Sequence, residues 1–296
     1  MTPFVPVADG ALGIQPRDQD APLLEAWLPR PHSDPSTPEV LVRLGPLDDA
    51  DLLWLTAQAE RPSTFSVGSV HAWVDRDARR VGLAGRVAPG VLDLETGYGV
   101  IDPQDALDDG RTMLTIAAGL LLAGRKRVLL QAAAVRRPDG GVLLLAGETQ
   151  TGKSTTALTL ARAPGWAWLS DDQVILAPAP DNGVEVFAWA RRPNADAGYD
   201  LNSLPWEARG PLAGSLLPLV NANALSAIRP APGTAVMEAL IRQGAWIMAE
   251  PGSAKAALEV LSLAASFPAR FLDLGLDTHG RPDRLTALLD ERPSMR

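Results

Sequence analysis

The most informative segment of the chain is Val142-Leu143-Leu144-Leu145-Ala146-Gly147-Glu148-Thr149-Gln150-Thr151-Gly152-Lys153-Ser154-Thr155. Its apolar start predicts a buried strand, its middle fits the pattern G-x-x-x-x-G-K-S, and its end predicts the start of a helix. Glycines at the two fixed positions allow backbone N–H groups to close around phosphate oxygens, and the N-terminus of the following helix adds a partial positive charge. The segment therefore predicts the phosphate-binding loop (P-loop) of a nucleotide-binding α/β domain.

The residues of this loop have predicted roles in binding a nucleotide. Lys153 would reach the outer phosphates, and the Ser154 hydroxyl would ligate Mg²⁺. The chain has only three lysines and otherwise uses arginine for its positive charge. A lysine at this position is therefore informative, because a compact ammonium on a flexible stem is not interchangeable with the planar arginine fork. The predicted nucleotide-binding residues are Gly147, Glu148, Thr149, Gln150, Thr151, Gly152, Lys153, Ser154 and Thr155.

Composition excludes several classes of protein. The 296 residues carry a net charge of −8 and include no cysteine, which excludes disulfides and thiolate metal sites. An acidic chain is poorly suited to neutralising a nucleic-acid backbone, so the charge argues against nucleic acid as a partner. The longest apolar stretch, Ile116–Ala123, is far shorter than the roughly 20 residues of a membrane helix. No signal-peptide pattern is visible at the N-terminus, and we expect a cytoplasmic protein.

Hydrophobic periodicity predicts two domains, residues 1–100 and 101–296. The first would contain a proline-rich, loosely docked arm up to about residue 40, a helix at Asp49–Ala59, and a small antiparallel sheet formed by period-two runs from Thr64 to Glu95. The second would begin with a helix from Asp102 to about Leu122 and a strand from Lys126 to Val135. The predicted fold class is therefore α/β, with the P-loop domain preceded by a partly β region.

The chain after the loop continues as alternating helices and strands. The predicted elements are a helix at Lys153–Arg162, strands at Trp166–Ser170, Gln173–Ala177 and Val184–Ala190, an irregular segment from 191 to about 216 followed by one strand, helices at Thr234–Arg242 and Ser253–Ala265, a strand at Arg270–Leu274, and a helix at Arg281–Leu289.

An acidic pair, Asp171 and Asp172, follows the predicted strand that ends at Ser170. In P-loop proteins a carboxylate in such a place holds Mg²⁺ opposite the loop hydroxyl. A second carboxylate beside it could accept the proton of an attacking hydroxyl as a general base. The alternative is an ordinary Asp-Asp turn leaving a strand, but the P-loop just upstream favours the functional pair.

The segment from Val128 to Leu176, about 50 residues, resembles the HPr serine kinase/phosphorylase superfamily, including its divergent stand-alone kinase-like members. The family's strand of the form Leu-His-Ala-x-Ala-Val corresponds here to Leu130-Gln131-Ala132-Ala133-Ala134-Val135. A glycine turn, an apolar strand and the P-loop follow, and then the doublet Asp171-Asp172 after Ser170. The resemblance implies a short P-loop sheet surrounded by helices, frequent assembly into homo-oligomers, and phosphoryl transfer from a nucleotide to a serine-type hydroxyl, sometimes with removal of that phosphate.

The resemblance also implies roles for individual residues. Lys153 and Ser154 match the phosphate and magnesium residues, so the implied metal ligands are Ser154 and Asp171. Asp172 matches the base, although the reverse division between the two aspartates stays open. The family's histidine, which pairs with the base, is Gln131 here. Glutamine can hydrogen-bond an aspartate, but it cannot carry the proton or become cationic.

A second departure lies further along the chain. The arginine-and-glycine signature of true HPr kinases is missing, and Arg191-Arg192-Pro193 stands in its place. These arginines could stabilise the transferred phosphate. A solvated strand end is an equally good interpretation.

The sequence thus predicts a nucleotide-binding, Mg²⁺-dependent kinase that transfers the γ-phosphate of ATP or GTP to a hydroxyl of a peptide, protein or small metabolite. Two alternatives stay open. The first is a nucleotide-binding regulatory switch or degenerate kinase with little turnover, which Gln131 supports. The second is a plain NTPase. The choice between ATP and GTP and the identity of the acceptor have no readable code in the sequence.

Overall fold

The computed structural model describes residues 5–7, 12–17, 38–104, 107–189 and 204–290. They form a mixed α/β protein whose chain divides into two compact units. The first unit comprises residues 1–129 and 245–258, and the second comprises residues 130–244 and 259–296. The sequence prediction put the boundary near residue 100. The structure groups the helix that follows residue 100 with the first sheet, because that helix packs on strands of this sheet.

A mixed eight-stranded sheet forms the framework of the first unit. Its strands are β1 (Val5–Val7), β2 (Leu12–Gln15), β3 (Val40–Leu44), β4 (Phe65–Val67), β5 (Val70–Asp75), β6 (Arg80–Ala84), β7 (Pro89–Asp93) and β8 (Tyr98–Ile101). The spatial order is β1-β2-β3-β8-β7-β6-β5-β4. Strands β4 to β8 form an antiparallel meander, whereas β3 pairs in parallel with both β2 and β8.

Two helices and a returning segment complete the first unit. Helix α1 (Asp49–Ala59) begins at Asp48, whose side chain accepts a hydrogen bond from the Asp51 N–H at 2.8 Å and so caps the helix. Helix α2 (Leu107–Ala123) packs on β3, β7 and β8. The segment 245–249 returns as a 3₁₀ helix, and its Trp246 lies against α2 at Gly119. A Cβ on Gly119 would come within 1.8 Å of the indole, so this contact requires glycine.

The structure confirms the helix at Asp49–Ala59 and corrects three other expectations for this region. The helix predicted from Asp102 does not include residues 102–104 and is described from Leu107. The sheet is larger than predicted and is mixed rather than purely antiparallel. Strand β2 lies within the predicted loosely docked arm, yet its Leu12 and Ile14 are fully buried. Strand β2 pairs with β1 on one side and β3 on the other, and the local sequence does not reveal this pairing. Residues 1–4, 8–11 and 18–37 of the predicted arm lie outside the described residues.

The second unit is built around a sheet whose central strand is β15. The strands that follow residue 127 are β9 (Val128–Leu130), β10 (Ala133–Arg136), β11 (Val142–Leu145), β12 (Ala167–Ser170), β13 (Val174–Ala179), β14 (Gly183–Ala188), β15 (Arg209–Val220), β16 (Ala227–Pro230) and β17 (Ala269–Leu274). One arm of the sheet has the order β12-β10-β11-β15, and β15 pairs further with β14 and with β17. The helices are α3 (Lys153–Ala161), α4 (Gly233–Gln243), α5 (Pro251–Ala265), whose first half belongs to the first unit, and α6 (Pro282–Asp290).

The core of the second unit lies between α3 and the sheet. Ala157 and Leu160 are three residues apart and therefore share one face of α3. They pack against side chains of β10, β11, β15 and β17, including Val135, Leu145 and Leu272, all of which are fully buried. This packing fixes the first turn of α3, and hence the loop before it, against the end of the sheet.

Several expectations for the second unit need correction. The predicted strand Lys126–Val135 is broken at residues 131 and 132, where β9 ends and β10 has not yet begun. The irregular segment predicted to reach about residue 216 ends by Arg209, where β15 begins, because β15 pairs with β14 there. Residues 190–203 lie outside the described residues. Within the described ranges, every helix is too short or too polar to cross a membrane.

Candidate functional site

The direction of the strands brings the predicted site residues to one edge of the second sheet. Strand β11 pairs in parallel with β15, and β15 pairs in parallel with β17. Strand β10 runs antiparallel to both β11 and β12. The carboxyl ends of β11, β12, β15 and β17 therefore lie at the same edge as the amino end of β10. The glycine-rich loop, the two aspartates and Gln131 all follow or precede these strand ends.

The glycine-rich loop, residues 147–152, connects β11 to α3 as the sequence predicts. Gly147, Gln150 and Gly152 have φ angles of 150°, 68° and 98°, a region that side chains disfavour. The Thr151 hydroxyl donates to the carbonyl oxygen of Glu148 at 2.9 Å and braces the turn. Among the described residues, no backbone carbonyl accepts a hydrogen bond from the N–H groups of residues 148–150. The loop thus presents unpaired backbone donors in front of a helix N-terminus, the arrangement that binds anions.

Lys153, the first residue of α3, extends its side chain back across the loop. Its Nζ donates to the carbonyl oxygens of Gly147 at 2.8 Å and of Glu148 at 2.7 Å. The residue is only 8% exposed. Burial lowers the pKa of Lys153 below its ordinary value, and the Asp171 carboxylate opposes that shift. A carboxylate and an ammonium therefore lie close together beside the loop.

The acidic pair is held in a tight turn at the end of β12. The Ser170 hydroxyl is buried and lies within hydrogen-bonding distance of the carbonyl oxygens of Gln173 and Trp189, which fixes the chain on both sides of the pair. Asp171 is 6% exposed, whereas Asp172 is half-buried. The two carboxylates thus have different environments, the inner one beside Lys153 and the outer one partly exposed to solvent.

The structure joins Gln131 to Asp172, as the resemblance suggests for the position of the family's histidine. The Gln131 side-chain amide donates from Nε2 to Asp172 Oδ1 at 3.3 Å. Gln131 lies in the break between β9 and β10, outside both strands, and the residue is exposed. The amide can orient the carboxylate but cannot exchange a proton with it.

The predicted metal ligands are placed at the same edge of the sheet. Ser154 is exposed in the first turn of α3, and Asp171 follows β12. Among the described residues, no three His, Asp or Glu side chains cluster in a way that could hold a metal ion. A cation here would therefore be bound by one hydroxyl, one carboxylate and oxygens of phosphate or water. This donor set fits Mg²⁺, which usually takes one or two carboxylates together with phosphates and water.

Arg242 is a residue at this site that the sequence did not indicate. It lies near the C-terminus of α4, and its Nη1 donates to Oε1 of the loop residue Glu148 at 2.9 Å. Its Nη2 donates to Glu238 Oε1, one helical turn earlier, at 2.7 Å. Only the second pairing has a sequence signal, the i,i+4 spacing of opposite charges. The arginines that the sequence did suggest, Arg191 and Arg192, lie outside the described residues.

Comparison with known structures adds a distant similarity. The chain is similar to the Hpr(Ser) kinase/phosphatase from Coxiella burnetii, with a TM-score of 0.30 and 13% sequence identity over 54% of this chain and 93% of that one. No protein-family model matches the sequence, and no curated protein matches it significantly. A likeness of this strength assigns no family, and the chemistry of the site follows from its own residues.

Proposed function

We propose that this protein is a Mg²⁺-dependent nucleotide-binding kinase that transfers the γ-phosphate of ATP or GTP to a hydroxyl of a peptide, protein or small metabolite. One observation carries the proposal. The glycine-rich loop with Lys153 and the pair Asp171–Asp172 lie at one edge of one sheet, and the Asp171 carboxylate is close enough to Lys153 to oppose the lowering of the lysine's pKa by burial. The order of signals from Val128 to Leu176, which resembles HPr serine kinases, supports the same assignment.

Each residue has a role that its position allows. The backbone N–H groups of the loop and the N-terminus of α3 bind the phosphates, and Lys153 neutralises their charge. Ser154 and Asp171 would hold Mg²⁺, which when bound neutralises the phosphate oxygens. Asp172 accepts the proton of the acceptor hydroxyl while that oxygen bonds to the γ-phosphorus and the bond from the γ-phosphorus to the bridging oxygen of the diphosphate breaks. Gln131 orients Asp172 through the amide hydrogen bond.

The second candidate is a nucleotide-binding switch with slow or absent turnover. The Gln131–Asp172 hydrogen bond favours it, because an amide cannot relay the proton that Asp172 receives. In this function nucleotide binding at the loop would change the protein's interactions, and the phosphate would not be passed on. A plain NTPase would instead release phosphate without an acceptor.

The test is to follow label from γ-phosphate-labelled ATP into a lysate supplemented with the pure protein. Lys153→Ala and Asp172→Asn are the test variants. Lys255→Ala is the matched control, because it removes the same charge from an exposed position of α5. Transfer of label by the wild type and the control, and by neither test variant, supports the kinase and yields its substrate.

Two other results separate the alternatives. Nucleotide binding that depends on Lys153, with no labelled product, contradicts the kinase and supports the switch. Labelled free phosphate without a labelled acceptor, lost in Lys153→Ala, supports the NTPase.

A further inference from the structure

A cavity of about 280 Å³ lies beside α3 in the second unit. Thr155, Thr156 and Thr159 of α3 line one wall. The opposite wall comes from the carboxyl ends of β15 and β17 and the chain that follows them, including Val220, Leu276 and His279. This volume is just below the roughly 300–1,000 Å³ of typical small-molecule sites, so it suits part of a ligand rather than a whole large one.

The cavity is continuous with the glycine-rich loop. Gly152, the last residue of the loop, lines the cavity as well. The Leu274 and Val220 side chains approach so closely there that a Cβ on Gly152 would lie 2.9 Å and 3.1 Å from their methyl groups. A molecule with its phosphates on the loop can therefore extend directly into the cavity.

The lining combines apolar surface with a buried hydroxyl that has no hydrogen-bond partner. Thr156 is only 2% exposed, and its Oγ1 makes no hydrogen bond to any described residue. Leaving such a group unpaired costs stability, so in native proteins it usually finds a partner such as a bound water, an ion or a ligand group. Val220 and Leu276, which also line the cavity, are by contrast 53% and 68% exposed. An apolar site with a small number of polar groups is typical of small-molecule recognition.

The wall opposite α3 is fixed in place by a hydrogen-bond cluster between two loops. Ser226, in the loop after β15, donates its N–H and its hydroxyl to Asp277 Oδ1 at 2.9 Å and 2.7 Å. The Gly275 N–H donates to Ser226 Oγ at 2.8 Å, and the Thr278 hydroxyl lies 2.8 Å from that oxygen. The site is therefore preorganised, which reduces the entropic cost of binding.

Strand order gives the direction in which a nucleotide would lie. Relative to β11, the strands β10 and β12 bring Gln131 and Asp172 to one side of the loop, while β15 and β17 bring the cavity to the other. The end of a phosphate chain from which transfer occurs must face Asp172. The other end of the same molecule then faces the cavity.

We infer that this cavity binds the base and ribose of the nucleoside triphosphate whose phosphates lie on the glycine-rich loop, with Thr156 hydrogen-bonded to the nucleoside. The inference rests on the proposed function, since it requires phosphates at the loop. It assigns the β15–β17 side of the loop to the nucleoside and leaves the β10–β12 side for the acceptor.

The test compares MgATP with Mg²⁺-inorganic triphosphate, which carries no nucleoside, by calorimetry on the full chain. Ala222→Trp places an indole at the exposed rim of the cavity, and Thr156→Val removes the buried hydroxyl with little change in shape. Leu225→Trp is the matched control, because Leu225 is 79% exposed in the same loop and does not line the cavity. Circular dichroism of each variant checks that it is folded.

The inference predicts that Ala222→Trp weakens MgATP binding about tenfold or more. Thr156→Val should weaken it by about threefold to tenfold, the equivalent of one hydrogen bond. Neither change should affect inorganic triphosphate, and Leu225→Trp should affect neither ligand. Lys153→Ala should weaken both ligands.

Three results would overturn the inference. The first is equal binding of MgATP and inorganic triphosphate by the wild type, and the second is MgATP binding that Ala222→Trp and Thr156→Val leave unchanged. In both cases the dependence on Lys153 would persist and the proposed function would survive. The third is a wild type that binds neither ligand, which removes the proposed function and the inference together.

Discussion

Replacing Gly152 by alanine adds one methyl group at the end of the glycine-rich loop and so tests the structure of the loop. Gly152 is the N-cap residue of α3, with φ 98° and ψ 10°. Gly152→Ala forces a side chain into this left-handed region and also places a Cβ 2.9 Å from Leu274 Cδ1 and 3.1 Å from Val220 Cγ2. Both consequences act at the junction of the glycine-rich loop and the adjoining cavity.

The two costs can be estimated separately. A non-glycine residue in the left-handed region costs about 1–2 kcal/mol. The contacts add a packing cost that stays near the lower end of about 1–3 kcal/mol, because the methyl groups of Leu274 and Val220 end flexible side chains that can move. We therefore expect the free energy of unfolding to fall by about 2–3 kcal/mol. Binding of MgATP should fall as well, because relief of the contacts displaces the end of the loop.

Gly140→Ala is the matched control for the backbone cost. Gly140 has φ 90°, and a Cβ there would find no atom closer than 3.5 Å. We expect it to lose only the backbone contribution, about 1–2 kcal/mol, and to retain nucleotide binding. Urea unfolding followed by tryptophan fluorescence, with calorimetry for MgATP, measures both effects. Equal stabilities of Gly152→Ala and Gly140→Ala would refute the contact argument, and unchanged MgATP binding by Gly152→Ala would refute the role of the loop.

Three further changes test other parts of the molecule. Gln131→His puts an imidazole beside Asp172, so a pH profile of phosphoryl transfer should gain an inflection at about pH 6.5; a profile identical to that of the wild type would contradict the pairing. Gly119→Ala should lower the free energy of unfolding by about 1–3 kcal/mol because its Cβ would overlap Trp246, and a change below about 0.5 kcal/mol in urea unfolding would contradict this packing. Hydrogen bonds from the Ser69 hydroxyl and from the Arg86 N–H lower the pKa of the Asp109 carboxyl below its ordinary value. The ionised Asp109 therefore stabilises the fold above about pH 4, and this stabilisation is lost as the pH falls through the pKa of the carboxyl in the folded protein. Asp109→Asn should therefore destabilise the protein at pH 7 and much less near pH 3, as urea midpoints at both pH values would show; an equal loss at both would exclude this ionisation.

Short-range pattern was sufficient for some elements of the fold. The apolar run of β11, the glycine-rich loop and the start of α3 at Lys153 agree with the prediction, as do the bounds of α1. In these segments the decisive signals are a periodicity or a cap within a few residues. The strand predicted across Gln131 was too long, because apolar residues continue through the break and periodicity alone does not detect it.

The pairing of Gln131 with Asp172 could be anticipated only by analogy. These residues are 41 positions apart, and only the antiparallel pairing of β10 with β12 brings them within hydrogen-bonding distance. The contact of Arg242 with the loop is a stronger example. It joins residues 94 positions apart, and no local pattern links them.

The residues of 142–155 specify a strand, a tight glycine turn and a helix, because the conformation of each depends mainly on its near neighbours. The chemistry of this edge of the sheet depends on which strands lie beside β11 and in which direction they run. That arrangement is set by long-range burial of apolar surface, which many pairings of similar strands could satisfy locally. Tertiary structure therefore determined that the carboxylates lie on one side of the glycine-rich loop and the cavity on the other.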